Sequence, residues 1–214
     1  LRAISDQHRH LHAHHSPEAW DERYGDQAMW SGHPNEALVR EVADMTPRTA
    51  LDVGCGEGAD AIWLALRGWR VDALDVSGKA LDRAREAAEQ AGVEVRWLHH
   101  GLEDLPDESA YDLVSVFYPA LLRADGSVLD VLLDAVAEGG TLLVVHHAHV
   151  DRERAREHGF DPDDYVRHED VLAALPPTDW AVEQAGERRR TAPEGPGAHH
   201  HTDLVLRAWR KVSA

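Results

Sequence analysis

The sequence predicts an α/β domain built on a mostly parallel sheet, and three observations carry that expectation. Between residues 49 and 145, short apolar strand-like runs alternate with segments of helical periodicity. The first of those runs stops at Gly54-Cys55-Gly56-Glu57-Gly58, a glycine turn that leads straight into a helix. The last quarter holds two further strand-like runs, 180–184 and 204–209, joined by a long loop, as an antiparallel pair requires.

One domain accommodates 214 residues, of which 43% are hydrophobic. The expected division is a His-rich, disordered tail over residues 1–15 and a single domain over residues 16–214. No apolar stretch approaches the roughly 20 residues that span a bilayer. With 39 acidic against 22 basic residues, the formal net charge is −17. Such a surface repels phosphate backbones and anionic lipids, so a small-molecule partner is expected and nucleic acid or membrane is not. Arg188-Arg189-Arg190, the one compact basic cluster, lies in a Gly/Pro-rich stretch and reads as a solvated loop. The single cysteine, Cys55, forms no internal disulfide, which suits a reducing cytoplasm. A monomer or homodimer is expected.

In the tail, His8, His10, His12, His14 and His15 crowd together. Imidazole suits zinc, copper and nickel, but a low-complexity tract brings no geometry of its own, and no metal site is assigned. Ser16 as N-cap, Pro17 at the first helical position and Glu18 in the first turn start a helix. Trp20, Tyr24 and Trp30 fall near one side of it. A second helix carries Leu38, Val39, Val42 and Ala43 and stops before Pro47. The helix after the glycine turn puts Ala61, Ile62, Ala65 and Leu66 on one face and ends at Gly68. Strand two covers residues 70–74 and ends on Asp75. Ser77 caps the next helix, where Ala80, Ala84, Ala87, Ala88 and Ala91 recur at helical spacing up to Gly92. Residues 93–98 make the third strand, 111–117 the fourth and 141–145 the fifth. Short helical segments at 151–157 and 168–175 are placed to wall a pocket. His199, His200 and His201 end the last long loop, and nothing in the sequence assigns them a role.

The chemistry begins at the glycine turn. Three glycines in five residues bend the backbone sharply and let a ligand approach it. Asp75, about 20 residues beyond the first glycine, is spaced to accept two ribose hydroxyls. Gly54-x-Gly56-x-x-Ala59 formally fits a dinucleotide fingerprint. Asp52 and Glu57, however, put two carboxylates where a pyrophosphate would rest, which disfavours a phosphate-bearing ligand. S-adenosylmethionine has ribose and adenine but no phosphate, and its amino group and sulfonium are cationic. Cys55 reads as a small side chain that fits the turn rather than as a nucleophile.

LDVGCGEGADAIWLA resembles the first motif of the class I S-adenosylmethionine-dependent methyltransferases, and ALDVS their second. YDLVSVFYPAL is similar to their fourth strand and EGGTLLVV to their fifth, so the likeness runs in order from Thr49 to Val145. It implies a three-layer Rossmann-like fold with a seven-stranded, mostly parallel sheet and a C-terminal antiparallel strand. It also implies S-adenosylmethionine as cofactor, with S-adenosylhomocysteine as product. WDERYGDQAMWSGHPNEALV resembles the lead-in of the small single-domain branch that includes thiopurine and tellurite-resistance methyltransferases. In that branch such a segment, here residues 16–46, folds over the cofactor as a lid. The resemblance thus points to Tyr24, Trp30, Gly54, Cys55, Gly56, Asp75, Val76, Leu102, Glu103 and Phe117 as cofactor-binding residues. At the adenine, the slot where many members carry an acidic side chain is Gly101, with Leu102 next, so Glu103 or Asp104 would have to substitute.

Phe117, Tyr118 and Pro119 follow the fourth strand at the edge where cofactor and acceptor meet, and His146, His147 and His149 follow the fifth. A histidine there is suited to remove a proton from an acceptor, whereas an acceptor already ionised needs only to be held in place. Tyr118, His146 and His147 are therefore the candidate catalytic residues, with no orienting carboxylate close to the histidines in sequence. The expected function is methyl transfer to a sulfur, oxygen or nitrogen atom of a small molecule. The alternatives are a detoxifying thiol or chalcogen methyltransferase and a non-catalytic, cofactor- or metal-responsive binding protein.

Overall fold

The computed structural model describes residues 15–29, 31–123, 126–157, 160–190 and 201–213. Seven strands form one sheet: β1 (Thr49–Val53), β2 (Arg70–Asp75), β3 (Arg96–His99), β4 (Tyr111–Phe117), β5 (Val136–His147), β6 (Trp180–Arg189) and β7 (Thr202–Arg210). Their order is β3-β2-β1-β4-β5-β7-β6. The first five are parallel, and β7 enters antiparallel between β5 and β6. Order reverses between β1 and β4, so the crevice above that junction is where an open α/β sheet takes its ligand.

The helices are α1 (Pro17–Tyr24), α2 (Glu36–Glu41), α3 (Ala59–Leu66), α4 (Gly78–Ala91), α5 (Val128–Asp134), α6 (Arg152–Glu157) and α7 (His168–Ala173). Their ends follow the sequence closely. Ser16 accepts the Ala19 amide at 3.2 Å, Ser77 accepts the Ala80 amide at 3.1 Å, and Gly92 closes α4 in the left-handed conformation.

Period-two alternation divides the core into two layers. Leu51 and Val53, Val114 and Val116, and Leu142 and Val144 face one side, where α5 and α7 contribute Leu132 and Val171. Ala50, Leu113, Leu143, Val145 and Val205 face the other, covered by Leu38 of α2 and Ala61 and Leu64 of α3. Strand parity therefore sends Asp52, Ser115, Phe117, His147 and Asp203 to the α2/α3 face and His146 to the α5/α7 face.

Two sequence expectations are corrected. The third strand begins at Arg96 rather than at 93, because Gly92 and the residues after it complete the turn out of α4. The strand expected over 180–184 runs on to Arg189, so Arg188 and Arg189 belong to β6 and not to a solvated loop. Paired in register with Asp203 and Thr202 of β7, they lead into Arg190, whose side chain is only 15% exposed.

Candidate active site

The glycine turn hangs from the end of β2: the Gly54 and Cys55 amides both donate to the Leu74 carbonyl, at 2.9 and 3.0 Å. Gly54, Gly56 and Gly58 all have φ between 54° and 81°, which a side chain disfavours. A Cβ on Gly58 would collide with Trp97 and Ala84, so this glycine lets α4 and β3 close on the turn. Beside Gly54 the space is open among the described residues.

Asp75 is buried, and each of its oxygens accepts one amide, Gly56 at 2.8 Å and Ser77 at 2.8 Å. Burial raises its pKa against the pull of those amides. Asp52 is more enclosed still. One oxygen accepts the Ser115 hydroxyl at 3.1 Å, and the other is buried with no hydrogen-bond partner among the described residues. Burial and the Asp60 carboxylate push Asp52 well above the usual range, against the pull of Ser115, with Asp75 adding to the rise. Asp60, at the start of α3, accepts the Asn35 amide and the Asn35 side chain at 2.6 Å each. Burial pushes it up to about 6 even so. A buried carboxylate oxygen without a partner is costly, and a cation brought to it relieves that cost. Together with the open space at Gly54 and the Asp75 carboxylate, this donor set fits a cationic, phosphate-free nucleoside such as S-adenosylmethionine.

Glu57 plays a different part from the one its position suggests. Its carboxylate pairs with Arg83 of α4 at 2.7 Å and accepts the Met29 amide at 3.0 Å. The acidic character of the site therefore rests on Asp52, Asp60 and Asp75. Cys55 is half-buried, and burial beside Asp52 and Asp75 pushes its thiol well up, away from nucleophilic thiolate.

The N-terminal segment is fastened across this edge. Arg83 also donates to the Tyr24 and Gly25 carbonyls, at 3.2 and 2.6 Å. Tyr24 is buried, and Asp21 reaches the Ser77 hydroxyl. His15, placed by sequence in the tail, hydrogen-bonds the Tyr165 hydroxyl with the rings edge to face. The segment thus touches both the β2 end and the segment that follows β5. Trp30 and the histidines at 8, 10, 12, 14, 199 and 200 lie outside the described residues. Among the described residues, no group of three or more His, Cys, Asp or Glu is placed to hold a metal ion.

At the expected adenine position, Val76 is half-buried and its carbonyl lies 3.0 Å from His99 Nε2. The Leu102 side chain is committed to the core. Glu103 folds back so that its carboxylate occupies the space a Cβ on Gly101 would take. An acidic group therefore stands over the slot that lacks an acidic side chain.

Beyond β4 the chain turns abnormally. Tyr118 has φ of 50°, unusual for a residue with a side chain. Strand alternation would send it to the face opposite Phe117, but the left-handed turn brings both rings against the α2/α3 layer. There Tyr118 stacks on His147, with centroids 4.1 Å apart and planes 17° from parallel. Its hydroxyl donates to Asp203 at 3.0 Å. Asp203 is 3% exposed, lies 3.8 Å from His147 Nδ1, and meets Arg190 Nε at 3.5 Å. Burial and the Asp203 charge push the Tyr118 phenol far up, so it stays a donor. The carboxylate nearest His147, absent from its sequence neighbourhood, is Asp203, delivered by β7. The structure separates the three histidines: His146 gives its Nε2–H to the Val166 carbonyl at 3.1 Å on the opposite face, and His149 lies exposed past the strand. Burial holds His146 down to about 4.

Residues 50–140 match the family described as a methyltransferase domain. The tRNA 5-carboxymethoxyuridine methyltransferase of Escherichia coli (strain K12) is 36% identical over 120 residues, 52% of this chain and 46% of its own length. The ubiquinone biosynthesis O-methyltransferase of Rickettsia felis is 34% identical over 79 residues, 37% of this chain and 32% of its own. The chain thus spans less than half the length of these curated relatives. The N-methyltransferase NodS from Bradyrhizobium japonicum WM9, solved with S-adenosyl-L-homocysteine, superposes with a TM-score of 0.68. It is 18% identical and aligned over 92% of this chain and 98% of its own. Residues 50–140 are thus similar to a methyltransferase domain, and the chain as a whole shares the fold of that solved N-methyltransferase.

Proposed function

We propose that the protein transfers the methyl group of S-adenosylmethionine to a heteroatom of a small-molecule acceptor. The observation that carries the reading is the buried carboxylate set at the glycine turn: Asp52 with an unpartnered oxygen, Asp60 beside it and Asp75 across it. Such a set suits a cationic nucleoside and repels a pyrophosphate. The bound cofactor supplies an electrophilic methyl carbon on a sulfonium. The protein's task is to hold the acceptor atom about 3 Å from that carbon and in line with the bond that breaks. Phe117, Tyr118 and His147 stand at the end of β4 and β5 to do so, while the segment from His15 to Met29 restricts water.

The small-molecule part of the reading is supported by the net charge of −17. One relative bears a tRNA modification in its name, so nucleic acid belongs in the test. A turnover screen, read as S-adenosylhomocysteine released, should include phenols, alcohols, thiols, amines, carboxylates and tRNA both unmodified and carrying 5-carboxymethoxyuridine. Turnover confined to tRNA would overturn the small-molecule reading; no binding of S-adenosylmethionine by calorimetry would overturn methyl transfer itself.

A further inference from the structure

Resting on the methyl-transfer reading above, we propose that Asp203 orients His147 as a general base, and that the acceptor is therefore an X–H group (hydroxyl, thiol or amine) rather than a carboxylate. Four side chains from the ends of four strands converge here: Tyr118 after β4, His147 closing β5, Asp203 opening β7 and Arg190 after β6. In register, His147 and Asp203 are direct partners across the antiparallel ladder. The Asp203 carboxylate is held from two sides, by the Tyr118 hydroxyl and by Arg190. Its other oxygen faces His147 Nδ1 at 3.8 Å. That is longer than a formed hydrogen bond, and such contacts in ligand-free sites tighten when substrate closes them.

A carboxylate on the Nδ1 side selects the tautomer that carries its proton there, which leaves Nε2 with a lone pair. Nδ1 is buried, while solvent reaches 27% of the His147 side chain as a whole. Tyr118 fixes the ring plane by stacking, and its left-handed backbone is the strained conformation that makes the stack possible. Placing a base with this much support is unnecessary for an acceptor that is already an anion. In the step itself, the acceptor proton passes to Nε2 as the X–CH3 bond forms. The sulfonium S–CH3 bond breaks and its electron pair returns to sulfur. The imidazolium so formed faces Asp203 and later loses its proton to water.

Long-range proton–nitrogen correlation of the ligand-free protein reads the tautomer directly, with His147→Gln identifying the signal. The expected wild-type result is His147 protonated at Nδ1, a preference lost in Asp203→Asn. With one turned-over X–H acceptor, both variants should lose at least 10²-fold in kcat while S-adenosylhomocysteine affinity stays within about two-fold. A wild-type His147 carrying its proton on Nε2 overturns the proposal, and this readout needs no variant that folds poorly. An unchanged tautomer and kcat in Asp203→Asn removes Asp203 as a positioning residue. Full kcat in His147→Gln, or turnover of carboxylates alone, removes the base and the acceptor class but leaves methyl transfer standing.

Discussion

The Asp21 carboxylate of α1 accepts the Ser77 hydroxyl at 2.6 Å, two residues beyond Asp75. The same oxygen accepts the Lys79 amide at 3.1 Å, so the N-terminal segment is latched to the start of α4 and to the expected ribose position together.

If this latch closes over the cofactor, S-adenosylhomocysteine should slow hydrogen exchange across residues 15–29. Asp21→Ala should speed exchange there and weaken the ligand by roughly 1 kcal/mol, the scale of one such hydrogen bond. Exchange mass spectrometry with and without ligand tests this. Identical traces would make the segment ordinary packing.

Asp75→Ala should weaken S-adenosylmethionine by about 1.5–3 kcal/mol, since a charged acceptor for the ribose hydroxyls is lost. The Gly56 and Ser77 amides lose their acceptor too, so a lower Tm should accompany the effect. Calorimetry showing wild-type affinity in a folded variant would take Asp75 out of the ribose site.

Glu103 should recognise the adenine amino group, because its carboxylate stands in the space left by Gly101. Wild-type protein is expected to prefer S-adenosylhomocysteine over its inosine analogue, which lacks that amino group. Glu103→Ala should erase most of that preference, about 1 kcal/mol. A preference that survives the substitution assigns the contact elsewhere.

Two buried groups tilt the pH dependence of stability in opposite directions. His146 titrates at about 4 in the fold against an ordinary value of 6.5. Between those values the unfolded chain binds more protons, and His146 makes stability rise with pH. Asp60 is raised from 3.8 to about 6, so in that window the folded chain holds the extra proton and stability falls with pH. Urea unfolding between about pH 4 and 7 should show His146→Gln removing a rising component and Asp60→Asn a falling one. Each is on the order of 1–3 kcal/mol. Slopes altered in the same direction would refute one of the two burials.

The expected cofactor half was legible because the contacts that shape it are local. The glycine turn, Asp75 and the Ser77 cap lie within 24 consecutive residues, 54–77, so spacing alone relates them. The acceptor half was not. Asp203 stands 56 positions after His147, and only the antiparallel register of β7 makes them partners. The Arg188–Arg190 run looked like loop because prolines and glycines follow it, yet β7 draws it into the sheet and turns Arg190 inward. Glu57 misled in another way. Its sequence position beside the glycines is correct, but Arg83, 26 residues on, takes up its charge. Tyr118 could not be placed by parity, since its left-handed backbone breaks the alternation that parity assumes.

The placement of β7 has a consequence for how the chain is made. Among the described residues, β6 pairs only with β7, and the outer edge of β5 has no other neighbour. While the ribosome has delivered the chain only through β6, therefore, that strand has nothing to join and the edge of β5 stands open. Such an edge invites pairing with another chain. When β7 emerges it closes that edge, anchors β6 and brings Asp203 beside His147 in one event. A nascent chain can thus assemble the glycine turn and the ends of β1, β2 and β4 early, while the group around His147 is completed only when β7 slots into the sheet.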